Sequence, residues 1–89
     1  MNVVKLPGNP PTSQQVLELV YKFSSKRPEW RLELMHGEDG QPYVEAIQSL
    51  VGTVLGFHWK LGSWAVVNAN SRIVEEGSSL DALMSAHLR

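Results

Sequence analysis

The chain contains no cysteine. Disulfides, a thiolate nucleophile and a cysteine-ligated zinc are therefore excluded, and the composition suits a reducing compartment. It also lacks an excess of either charge: eight basic residues stand against nine acidic ones, for a net charge of −1 and a pI near 6.3. Such a balance provides no long-range positive field to draw a phosphate backbone, and no acidic surplus with which to imitate one. Long hydrophobic runs are missing too. The opening "MNVVKLPGNPPTS" holds no apolar segment of signal-peptide length, and no stretch approaches a membrane span, so the expectation is a cytoplasmic protein with no membrane partner. The patterns HExxH, GxSxG and GxGxxG and the P-loop are absent, and no cofactor is expected.

What remains is the material of one small core. A length of 89 residues, 43% of them hydrophobic, supports a single domain that collapses rather than staying disordered. Residues 1–11 carry Pro7, Pro10, Pro11, Gly8 and two asparagines, which predicts a flexible arm, although Val3, Val4 and Leu6 could add an edge strand. The ordered domain is expected over 12–89.

Thr12 and Gln15 have the spacing of a capping box, and Val16, Leu19, Val20 and Phe23 then recur with helical period to about Ser25. Pro28 disfavours helix at Arg27. "WRLELMH" alternates Trp30, Leu32 and Leu34 with Arg31 and Glu33, the pattern of a strand with one buried face, and "GEDG" supplies a turn. Residues 42–52 fit a returning strand or a short helix between Pro42 and Gly52; the hairpin geometry favours the strand.

"FHWKLGSWAVVN", residues 57–68, reads as a hairpin. A turn centred on Gly62 and Ser63 pairs Leu61 with Trp64, Lys60 with Ala65, Trp59 with Val66, His58 with Val67 and Phe57 with Asn68. One face then collects Leu55, Phe57, Trp59, Leu61, Trp64 and Val66, and the other Gly56, His58, Lys60, Ala65 and Val67. After "NANS", "RIVEE" returns as a strand with Ile73 opposite Val66 on the heavy face. Ser78 is placed to cap a last helix whose stripe is Leu80, Leu83, Met84 and His87 or Leu88. The predicted class is α+β, an antiparallel meander of four or five strands with an N-terminal and a C-terminal helix on one face.

Three functional readings follow. The first is a non-enzymatic protein-binding module: an adaptor, an inhibitor or a self-associating subunit. Its partner is another protein or a second copy of the chain, met through an edge strand or through the lighter sheet face at His58, Lys60 and Val67. The second is a nucleic-acid-binding module using Lys22, Lys26, Arg27 and Arg31, with Trp30 available for stacking; the neutral net charge disfavours it. The third is a small metal or acid/base enzyme at His36, Glu38 and Asp39, with His58 as a distant partner. A hairpin turn rich in Gly, Glu and Asp already explains that cluster. The serines, too, stand where turns and caps want them.

A helix, strands, helix order is similar to the topology of double-stranded RNA-binding domains. Those domains place basic residues at the start of their last helix to meet phosphates. The corresponding stretch here, "SSLDALMSAHLR", has Asp81 and no lysine, so the residues that would carry that function are missing.

Overall fold

In the computed structural model, which describes residues 11–60 and 62–89, the chain runs helix, five strands, helix. Thr12 caps the first helix, α1 (Ser13–Lys26), as the spacing predicted. Its hydroxyl accepts from the Gln15 amide while the Gln15 side chain accepts from the Thr12 amide. Val16, Val20 and Phe23 form the buried stripe. The expected flexible arm lies outside the described residues apart from Pro11.

Five antiparallel strands follow as a simple meander, β1 (Trp30–His36), β2 (Pro42–Gln48), β3 (Val54–Lys60), β4 (Ser63–Asn68) and β5 (Ile73–Gly77), in that spatial order. The fold is α+β, and residues 42–48 are strand. The second helix, α2 (Leu80–His87), lies on the same side of the sheet as α1; α1 packs over β1 and β2, and α2 over β5. Phe57, Val66, Val44, Ala46, Trp64 and Trp30 on the covered face meet Val16, Val20 and Phe23 from α1 and Leu80, Leu83, Met84 and Leu88 from the C-terminal segment in one core. Helices on one side only require one apolar face and leave the other open.

Three details differ from the expected geometry. The β3–β4 hairpin pairs Lys60 with Ser63, Trp59 with Trp64, His58 with Ala65 and Phe57 with Val66. The turn therefore falls one position earlier than Gly62–Ser63, with Gly62 at a φ of +88° just before β4; Leu61 lies outside the described residues. The physical gain is alignment. The expected register set Phe57 against Asn68, whereas the observed one sets Phe57 against Val66 and packs the Trp59 and Trp64 rings edge to face at 5.6 Å. Asn68 is released to the next turn, where its Oδ1 accepts from the amides of Asn70 and Arg72. Each partner moves by two residues, so every described side chain of this hairpin keeps its predicted face.

Ile73 does not join the heavy face. A bulge at Val74 breaks the β4–β5 ladder, so that Glu75 lies opposite Val66 and Ile73 opposite Val67 on the open side, where Ile73 is 48% exposed. Glu75 then reaches over the covered face to His87 of α2, Oε1 to Nε2, at 2.6 Å. The α2 cap is Ser79 rather than Ser78. Helix begins at Leu80, and only Ser79 is placed for its hydroxyl to accept from the Ala82 amide, at 3.1 Å. Of the predicted stripe, Leu80, Leu83, Met84 and Leu88 are buried.

Candidate functional site on the open sheet face

Strand alternation places side chains on the open face in rows that run across the sheet. One row reads Glu33, Glu45, Gly56, Val67, Ile73, and the next Met35, Tyr43, His58, Ala65, Glu76. Lys60 and Ser63 continue it at one end; Arg31, Ile47 and Val54 finish the other. At the end nearest the β2–β3 loop Ile47, Val54, Val67 and Ile73 form an apolar band, bordered toward β1 by Glu45 and the Arg31–Glu33 pair, and Leu50 and Val51 at its rim are strongly exposed. The opposite end carries Lys60, Glu76 and Asp39.

Tyr43 and His58 stand between these ends. They face each other across β2 and β3, their rings stacked 4.3 Å apart at 19°. Gly56 makes this possible. A side chain there would place its Cβ 2.7 Å from His58 Nε2, so the imidazole can hold this position only while the strand beneath it is bare. Burial pushes the His58 pKa below its ordinary value, and the Lys60 ammonium pushes the same way, against a smaller opposing pull from Asp39. The imidazole is therefore neutral at pH 7, able to donate from one nitrogen and accept at the other.

Two shallow pockets flank this pair. One, of about 300 Å³, lies between the β1–β2 turn and β3, lined by Asp39, Gln41, Tyr43, His58 and Lys60 among others. The second, of about 250 Å³, runs over Gly56 between Tyr43, Glu45, Val54 and Val67. His58, Lys60 and Val67, expected on the lighter face, all lie there. The parts played by Tyr43 and by Gly56, itself expected on this face, were not anticipated, nor was Gln41. A glycine inside the strand "VLGFHWK", two positions before a histidine, was the signal for the first two, because a bare strand position marks a close approach.

The other predicted groups do not converge. His36 points to the covered face, where its Nε2 lies 2.9 Å from Ser13 Oγ, while His58 is on the open face with the sheet between them. Asp39 Oδ1 accepts from the Gln41 amide within the turn, and Glu38 is exposed. Among the described residues no group of three or more His, Asp or Glu is placed to hold a metal ion. The basic residues are also divided. Lys22 pairs with Asp81 at 2.8 Å; Arg27 donates to the Leu88 and Lys26 carbonyls; Arg31 pairs with Glu33 at 2.9 Å on the far side of the sheet from the Lys22–Lys26 segment. Trp30 is 5% exposed and its indole N–H donates to the Arg89 carbonyl, so no face of it is offered to a base. Among the described residues no helix is long and apolar enough to cross a membrane.

Comparison with known proteins returns no matching family model, no similar curated protein and no similar solved structure. The open face has to be interpreted from its own chemistry.

Proposed function

We propose that the chain is a non-enzymatic protein-binding module that docks its partner on the open sheet face. The observation that carries this reading is the face itself. A stacked tyrosine and neutral histidine stand between an apolar band of Ile47, Val54, Val67 and Ile73, bordered toward β1 by Glu45 and the Arg31–Glu33 pair, and a charged end with Asp39, Lys60 and Glu76. An aromatic centre between apolar and charged groups is the composition of protein interfaces, where tyrosine contributes area at little entropic cost and charges fix orientation. The proposal keeps the cytoplasmic setting expected from the composition. The nucleic-acid reading gains nothing from the geometry, since its cations are paired or divided between two sides of the sheet.

The test is capture from the host lysate on wild-type protein and on Val67→Asp side by side, since an aspartate there adds an unpaired charge to the apolar band without touching the core. A protein held by the wild type and lost with Val67→Asp is the expected result. Equal retention by both, or capture by neither, removes the proposal.

A further inference from the structure

The two edges of the sheet are built differently. β5 is interrupted by the bulge at Val74 and carries Glu75 and Glu76, both features that discourage a further strand. β1 has no such interruption, and its two charges, Arg31 and Glu33, are of opposite sign. It runs seven residues in unbroken register with β2, without proline, lysine or bulge.

Which of its backbone groups are free follows from the ladder. The Glu29 carbonyl accepts from the Ser49 amide and the Gly37 amide donates to the Gln41 carbonyl, so in an antiparallel pair the odd residues of β1 turn toward β2. Leu32 and Leu34 therefore direct their N–H and C=O groups outward, and Trp30 its C=O, its own N–H being held by the Arg27 carbonyl. Among the described residues nothing covers that row.

We propose that a second copy of the chain pairs with it, β1 against β1 and antiparallel, joining two sheets across a two-fold axis centred on Leu32. In that register the two Leu32 residues exchange both backbone bonds, and each Leu34 N–H donates to the other copy's Trp30 carbonyl. Arg31 falls opposite Glu33 twice, once on each side of the axis. The neighbouring registers that align free groups are poorer. Centring on Arg31 opposes two guanidiniums, centring on Glu33 opposes two carboxylates, and centring on Leu34 sets Glu33 against Met35. Glu33 also lies opposite Glu45 within its own sheet, so a second arginine relieves a like-charge pair already present.

α1 supplies independent support. Its flank toward α2 is marked by Gln15 and Leu19, which line the inter-helix groove, and by Lys22, bonded to Asp81. Helical spacing puts Leu17 and Tyr21 on the opposite flank, above the β1 edge, and Tyr21 is 67% exposed. With strands about 4.8 Å apart and each helix lying over β1 and β2, the two α1 helices run antiparallel about 10 Å apart, a usual packing distance. Tyr21 and Leu17 of both copies then cover one another. The β1 edge borders the docking face at Arg31 and Glu33 but does not include Val67, and Val67→Asp leaves the edge intact, so either proposal can fail without the other.

Sedimentation equilibrium of the full chain at low salt tests it, with circular dichroism showing that each variant is folded. The wild type is expected to be dimeric. Arg31→Glu and Glu33→Arg should each raise the dissociation constant about tenfold, because each sets two like-charged pairs across the axis. The double exchange Arg31→Glu with Glu33→Arg should restore the wild-type value, since it swaps the members of the same pairs. A wild type that stays monomeric at high concentration overturns the proposal and leaves the edge to the N-terminal residues or to a foreign strand. A dimer indifferent to both reversals, or one that the double exchange fails to rescue, overturns it equally.

Discussion

The covered and open faces of the sheet are made from alternate residues of the same five strands, yet they reach low exposure by different means. On the covered face Phe57, Val66 and Val44 are fully buried because two helices lie over them, and polar groups occur at the margins, where they fasten a helix: His36 to Ser13, and Glu75 to His87. On the open face no helix intervenes among the described residues, and the strands shield themselves. Ala65 is only 2% exposed between His58 and Glu76 in its row, and His58 lies across Gly56 against Tyr43. The first face is dry enough to hold the fold together. The second is ordered without being sealed, and a surface so arranged can exchange water for a partner at little reorganisation.

The largest effects should come from the two tryptophans that meet across β3 and β4. Trp64, 5% exposed beneath both helices, should lose about 3–5 kcal/mol on truncation to alanine, measured by urea unfolding. Trp59 packs against the same core but is half-buried, and its truncation should cost about half as much. Equal losses would mean that the covered face is closed to its end, and that the contrast between centre and margin is false. A smaller effect is expected at Gly56. An alanine there forces the His58 ring, the far end of a side chain rather than backbone, to shift, while removing a flexible residue from a strand; stability should change by less than about 1 kcal/mol. The Tyr43 ring-current shift on the His58 protons should nonetheless be lost in NMR spectra. Its survival would show that the stack does not depend on the bare position.

Much of this architecture was legible because it depends on period and on short-range chemistry. The Thr12–Gln15 capping box, the alternation in "WRLELMH" and the apolar stripe from Leu80 to Leu88 each specify an element from within one segment. The hairpin faces were also readable, since a register error of two residues preserves parity. Its exact pairing was not, because glycine is tolerated at more than one loop position and the choice was made by the alignment of Phe57 with Val66 and Trp59 with Trp64. Ile73 was misplaced for a related reason: the bulge at Val74 depends on how β5 sits against β4 and α2, which no pattern inside "RIVEE" encodes. The candidate site was half visible. His58, Lys60 and Val67 follow from alternation, whereas the Tyr43–His58 stack needs the β2–β3 register, a relation between residues fifteen apart in sequence.

The smallest expected effect concerns the proton that His58 declines. Burial and Lys60 hold its folded-state pKa below the 6.5 of the unfolded chain, with Asp39 only partly offsetting them. Well above pH 6.5 the ring is neutral in both states and this group adds no pH dependence. As pH falls through that value the unfolded chain takes up a proton that the folded chain refuses, so stability declines, and it levels off once the pH passes below the folded-state pKa. His58→Gln removes this contribution while leaving His36 and His87 in place. Urea unfolding of both proteins from pH 7.5 to about 4.5 should therefore show the wild type losing more stability than His58→Gln as the pH falls. Parallel curves would mean that the imidazole is as well solvated as in the unfolded chain. The open face would then be ordinary wet surface, and its difference from the covered face one of packing alone.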